Sequence, residues 1–348
     1  MIYNRDVRVA IVLLVLSASS LGQWWSVQTS GLDTNLRGVS VSRTTRGKGH
    51  EAVWASGSKG VILRSNDGGT SWQQLHVAGG DDLDFRDIEG FGADTAYVMS
   101  SGEGDKSRIY KTVDGGKSWK LQYSDTRPGF FLDSLACDSP KYCVALSDPV
   151  EGKFLVLSTD DGEHWKELPR DRMPAALTSE GAFAASGTAI ALCNGGAIYF
   201  GTGGGKVARV FRSRDRGRSW SAVETPIAAG NPSSGVFSVA CSGRAVVAVG
   251  GDYKNPADAK QVAAYSNDGG AMWHLAERQP GGYRSGVACF ARGRCAAVGT
   301  NGTDISSTTT QWRHTDPLNL NAVAFAGSEG WGVGGNGTVA RFRRRRSD

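Results

Sequence analysis

Apolar and polar residues alternate along most of the chain in short runs, and glycine, aspartate, asparagine and serine interrupt those runs at close intervals. One stretch shows the pattern: DFRDIEGFG from Asp84, TAYVMSS from Thr95, SRIYKTV from Ser107, then the turn DGG and the run SWKLQYS. Period-two runs of this length bounded by turn residues predict half-buried strands. No segment sustains an apolar period of the helical kind, so the element predicted is a unit of four short strands joined by tight turns.

The unit repeats. SNDGGTSW (Ser65–Trp72) returns as TVDGGKSW (Thr112–Trp119), STDDGEHW (Ser158–Trp165), SRDRGRSW (Ser213–Trp220) and SNDGGAMW (Ser266–Trp273). The closing tryptophans are spaced by 47, 46, 55 and 53 residues, a period that points to a propeller or similar array. Two more units are degraded: ISSTTTQW keeps Trp312 and loses the aspartate and glycine, and GWGVGGNGTVARF (Gly330–Phe342) stops where the next box should begin. A lone fourth strand, GQWWSVQTS, stands at the other end, with Trp25 one repeat before Trp72. A ring closes best when its first and last strands share one sheet, which removes exposed edges. The expected fold is therefore all-β, a seven-bladed β-propeller over 23–348 with four-stranded blades. Its last blade would take its fourth strand from the N-terminus. Six blades with a separate N-terminal strand is the competing arrangement.

Each box joins a third strand to a fourth. Its glycine accepts positive φ, its Ser/Thr and Asp tie down backbone N–H groups, and its tryptophan wedges into the neighbouring sheet. Asp67, Asp114, Asp160, Asp215 and Asp268 are accordingly expected to be structural staples on the rim. Forty-eight glycines, about twice the usual share, fit a chain rich in such turns. The boxes resemble the Asp-box repeats of bacterial neuraminidases. The seven units and phrases such as VWASGSKGVILRSNDGGTSW resemble the photosystem II stability/assembly factor family and its non-photosynthetic relatives. That resemblance implies a non-catalytic propeller that docks a client protein, with a basic patch involved. Arg37 and Arg86 stand at equivalent inner-strand starts; the other blades offer Asp133, Gly181, Phe237, Ser285 and Asn321.

Arg5 and Arg8, the apolar run Val9–Leu16 and the small residues Ser17–Gly22 have the order of a secretory signal peptide, with cleavage expected near Gly22. That run is too short to span a bilayer, and no later segment is long and apolar enough. An exported, periplasmic or secreted protein follows. Cys137 with Cys143 and Cys289 with Cys295 each flank a strand–turn–strand segment, so two hairpin disulfides are expected, as an oxidising compartment permits. Cys193 and Cys241 are left open. The net charge of +5 is too mild to argue for nucleic acid.

Ligand sites in such rings lie at the mouth formed by inner-strand starts and the loops between second and third strands. The binding candidates there are Arg37, Lys59, Arg86, Lys153, Lys206, Tyr253, Lys254 and Arg284. A hydrolase would need a carboxylate pair, for which Asp87, Asp133, Asp148 and Glu180 are available. FGTGGGKV fails as a phosphate loop, because Phe200 replaces the first glycine and Val207 follows the lysine. The five histidines are scattered and no metal-ligand spacing or cofactor motif emerges. Two readings stand: an exported, non-catalytic propeller binding a protein or glycan, and a carbohydrate-active hydrolase of sialidase-like or other glycosidase type.

Overall fold

The computed structural model describes residues 24–43, 51–193, 195–291 and 293–342. The segment expected to be the signal peptide and its cleavage point near Gly22 lie outside these residues. Among them are twenty-eight strands, in seven antiparallel four-stranded sheets, and one turn of 3-10 helix, Gly104–Lys106. Blade I comprises Leu36–Arg43, Glu51–Gly57, Ile62–Ser65 and Gln73–Leu75, and blade II comprises Asp84–Phe91, Thr95–Ser101, Arg108–Thr112 and Lys120–Ser124. Blade III is Leu132–Ser139, Tyr142–Val150, Lys153–Thr159 and Lys166–Glu167; blade IV is Ile190–Cys193, Ala197–Gly201, Ala208–Ser213 and Ser221–Thr225. Blade V is Ser234–Ser242, Ala245–Asp252, Ala263–Ser266 and His274–Leu275; blade VI is Gly286–Ala291, Arg294–Gly299, Gly302–Ser306 and Trp312–Asp316.

Blade VII closes the ring. Ala322–Ala326, Glu329–Val333 and Thr338–Phe342 are completed by Trp25–Thr29, in the register Trp25↔Phe342 to Thr29↔Thr338. The six-bladed alternative is thereby excluded. Trp25 is 1% exposed, meets Phe342 edge-to-face at 5.3 Å, and donates its indole N–H to Thr303 of blade VI at 2.9 Å.

Hydrophobic cores fill the seams between blades. Trp54 and Ile62 of blade I pack with Ile88 and Val98 of blade II, and six comparable clusters fill the other seams round to Trp25 with Val298. Box tryptophans reach back to the preceding blade: Trp72 meets Trp331 edge-to-face at 5.8 Å, Trp119 meets Trp54 at 6.2 Å, and Trp165 meets Tyr97 at 6.1 Å. Such pairs contribute roughly 0.5–1.5 kcal/mol beyond the apolar area they bury. In the first box Ser65 Oγ accepts from the Gly69 N–H at 2.8 Å, and Asp67 Oδ1 accepts from the Ser71 N–H at 2.9 Å. Gly69, at φ +81°, lies flat on the Trp331 ring, where any Cβ would collide. These bonds hold the half-buried Asp67, Asp114 and Asp215 carboxyls down to about 2, and hold Asp268 low as well.

The third box requires a correction. Asp161, not Asp160, is the staple: its Oδ1 accepts from the Glu163 N–H at 2.7 Å and the His164 N–H at 2.8 Å, and Thr159 Oγ1 holds the Gly162 N–H at 2.9 Å. This box is one residue shorter between its hydroxyl and its tryptophan, which moves the staple forward. Asp160 instead faces solvent and pairs with Lys166 at 2.7 Å.

A belt of polar side chains links the inner strands at every seam. Ser40 accepts from the Gly90 N–H at 3.0 Å, Asp87 from Leu135 at 2.6 Å and Ser134 from Ile190 at 3.2 Å. Thr188 meets Ser238 at 2.6 Å, and Ser238 accepts from Val287 at 2.9 Å. Ser285 donates to the Asn321 carbonyl and Asn321 to the Leu36 carbonyl, both at 2.7 Å. Inner-strand backbone that the curvature of the ring leaves unpaired is satisfied this way. Both expected hairpin disulfides form, Cys137–Cys143 and Cys289–Cys295. Cys193 and Cys241 are also bridged, covalently joining blades IV and V.

Candidate functional site

In each antiparallel blade the first strand starts, and the second hands over to the third, on one face of the ring; the boxes lie on the other. That first face holds a cavity of about 530 Å³ at the mouth, within the range of small-ligand and peptide sites. Its position is set by a recurring irregularity. The inner strands of blades I, II, III and V each carry a β-bulge near their start, which takes Arg37, Arg86, Asp133 and Phe237 out of the ladder. A bulge of this kind re-aims one side chain without disturbing the strand beyond it. Arg37, Arg86 and Phe237 line the cavity; Asp133 does not.

The two arginines form one wall. Arg86 donates to Asp84 at 2.6 Å and to the Ala184 carbonyl at 2.7 Å. Arg37 has no carboxylate within ion-pairing distance among the described residues; the Asn35 amide lies within 3.1 Å of it. Burial, and secondarily the like charge of Arg86, hold the Arg37 pKa below its ordinary value. A desolvated cation beside a second cation is short of an anion. The opposite wall is aromatic. Phe183 stacks on Phe237 with centroids 3.8 Å apart, and Tyr283 and Tyr253 meet Phe237 edge-on at 4.8 and 6.1 Å. Asn321 and Ser285 add polar atoms between the walls.

Other expected binding residues divide. Tyr253 is half-exposed in the cavity; Lys59, Lys206 and Lys254 are exposed in loops but do not line it. Lys153 is committed to the Arg170 carbonyl at 2.7 Å. Arg284 is fully buried, ion-paired with Asp304 and bonded to Asn301, so it is a structural cation and not a ligand-facing one. Gly181 is not the blade IV counterpart of Arg37. It belongs to a long excursion before Ile190 and pairs with Gly203. That excursion delivers Phe183 and Ala184 to the mouth. These two and Tyr283 lie in connections outside the repeat.

The four candidate carboxylates do not converge on the cavity. Asp87 is buried and accepts from the Ile88 and Leu135 N–H groups, holding the seam between blades II and III. Glu180 is buried against Arg209. Asp133 and Asp148 are neighbours: burial raises both, Asp133 well above its ordinary value and Asp148 to about 6, and Asp148 adds repulsion to Asp133. Asp148 Oδ1 accepts from the Ala182 N–H at 2.8 Å, whereas Asp133 Oδ2 has no partner.

The model of the family described as photosynthesis system II assembly factor YCF48 matches residues 12–278. The chain belongs to this family. No curated protein matches it by sequence. Among solved structures, YCF48 from Cyanidioschyzon merolae is 16% identical, with 92% of this chain and 99% of that chain covered and a TM-score of 0.66. YCF48 bound to D1 peptide is 13% identical, with 93% and 98% covered and a TM-score of 0.65. Virginiamycin B lyase from Staphylococcus aureus with quinupristin is 12% identical, with 92% and 100% covered and again a TM-score of 0.65. At these identities the likeness is one of fold. A lyase and an assembly factor share the ring equally well, so membership of the family and the chemistry of the mouth carry the functional argument.

Proposed function

We propose that this chain is an exported assembly-factor-like propeller that binds a segment of a client protein at its mouth without chemistry. The observation that carries this is the pairing of walls: Arg37 and Arg86 face the aromatic group Phe183, Phe237, Tyr253 and Tyr283 across one cavity. That arrangement suits a short peptide with an acidic group beside an apolar side chain, held by charge at one end and stacking at the other. The solved YCF48 with a bound D1 peptide supports a peptide as the ligand class. Export is supported by the N-terminal sequence and by three disulfides. Among the described residues no helix is long and apolar enough to cross a membrane.

The test is site-specific photocrosslinking in the native envelope. A photoreactive residue at Ala184 should capture a discrete client, and one at Leu121 on the blade exterior should not. Arg37→Glu with Arg86→Glu should abolish capture while leaving the melting temperature close to that of the parent protein. Equal capture by the double variant would sink the proposal. So would turnover of a fluorogenic glycoside that Asp133→Ala abolishes.

A further inference from the structure

A second cavity, of about 220 Å³, lies on the box face of the ring, opposite the mouth, where blades VI and VII meet. Its floor is apolar: Trp24, Phe290, Ile305 and Phe342. Phe290 and Phe342 belong to an aromatic cluster with Phe325, at centroid distances of 4.6 to 5.7 Å. Its border is basic. Arg278 and Arg313 are exposed and Arg294 half-exposed, and none of the three has a carboxylate within ion-pairing distance among the described residues.

Both ends of the chain meet this groove. Trp24, which follows the N-terminal segment, and Phe342, which precedes the basic tail, both line the groove. Three arginines border the groove, and four more, Arg343–Arg346, follow Phe342 in the sequence.

We propose that the VI–VII groove is a membrane-docking surface that binds anionic phospholipid bilayers through Arg278, Arg294 and Arg313. Unpaired arginines beside apolar side chains match the phosphate-over-acyl layering of a bilayer surface. The basic tail adds to the attraction. The groove lies on the box face and the mouth on the other, so the propeller can hold a client and a membrane at once.

The experiment is vesicle cosedimentation of the exported, purified protein. Vesicles of phosphatidylcholine alone are compared with vesicles containing phosphatidylglycerol, at low and high salt. Binding is expected only with phosphatidylglycerol and is lost at high salt. Each groove arginine removed should weaken it about five-fold, and the triple change Arg278→Gln, Arg294→Gln and Arg313→Gln about a hundred-fold. Circular dichroism and melting temperature confirm that the variants fold. Arg37→Glu with Arg86→Glu should bind vesicles like the parent protein. Three results overturn the proposal. One is absence of binding to phosphatidylglycerol vesicles. Another is undiminished binding by the folded triple variant, which would assign any attraction to the tail. The third is a dimer in sedimentation velocity that the triple change dissociates, which would make a second copy the occupant.

Discussion

The Asp133–Asp148 pair makes stability depend on pH in a direction opposite to that of the box aspartates. Burial raises Asp148 from 3.8 to about 6, so the folded state holds its proton more tightly than the unfolded chain. A carboxyl raised in this way contributes its full stability below pH 4 and loses it as pH rises through 6. A shift of two units corresponds to about 3 kcal/mol lost between roughly pH 4 and pH 7. Asp67, Asp114 and Asp215, held at about 2, behave oppositely. Their contribution is present above their unfolded value and disappears only as pH falls towards 2, so they are flat across this window. Glu89, raised to about 7 mainly by burial, reinforces the fall. Asp148→Asn keeps an oxygen for the Ala182 N–H and removes the charge. It should unfold at a higher urea concentration than the parent protein at pH 7.5, converge with it near pH 4, and show a shallower pH dependence between. Urea titrations at fixed pH give this directly. Parallel curves for parent and variant across pH 5–7 would show that Asp148 is solvated and the reasoning wrong.

Ring closure predicts that Trp25→Ala costs about 3–5 kcal/mol, as for a buried tryptophan, whereas Val27→Ala on the same strand, 50% exposed, costs little; denaturant unfolding of both decides this. The displaced staple predicts that Asp161→Ala lowers the melting temperature while Asp160→Ala does not. The Cys193–Cys241 bridge closes a separation of 48 residues and the hairpin bridge Cys137–Cys143 one of 6. On loop entropy, replacing the first pair by alanine should cost about 4 kcal/mol and the second about 2, readable as different losses in unfolding midpoint.

What the repeat controls was legible in the sequence. Seven tryptophans at near-constant spacing gave the blade count, and Trp25 one period ahead of Trp72 gave the closure. Arg37 and Arg86 are legible as mouth residues because they occupy the same position in their blades; Phe237 holds the equivalent place in blade V but is not among the binding candidates the sequence offers. The failures occur where the period slips. Adjacent aspartates in STDDGEHW hide a one-residue shortening, and the excursion before Ile190 moves the blade IV count off Gly181. Arg284 follows the pattern of an inner-strand start, but nothing local announces that Asp304, a strand pair away, consumes its charge. Phe183 and Tyr283 lie in connections with no period to read. The Cys193–Cys241 bridge did leave a trace: its separation of 48 residues is one repeat, as equivalent positions on neighbouring blades would give.

The bulges separate residues that hold the seams of this ring from residues that do not. Ser40, Asp87, Ser134 and Ser238 hold the seams from positions inside the ladder, so their replacement exposes unpaired backbone in the centre of the fold. The bulged residues beside them carry no seam bond; their identities here are arginine, arginine, aspartate and phenylalanine. Arg37 and Arg86, which face the cavity and hold no seam, can change their chemistry without unpairing inner-strand backbone. Rings at 12–16% identity accordingly keep one architecture. On the proposed function, Arg37, Arg86, Phe237 and the excursion carrying Phe183 select the client, so exchanging those segments between two family members should transfer client capture in the photocrosslinking assay while leaving the seams and their stability in place.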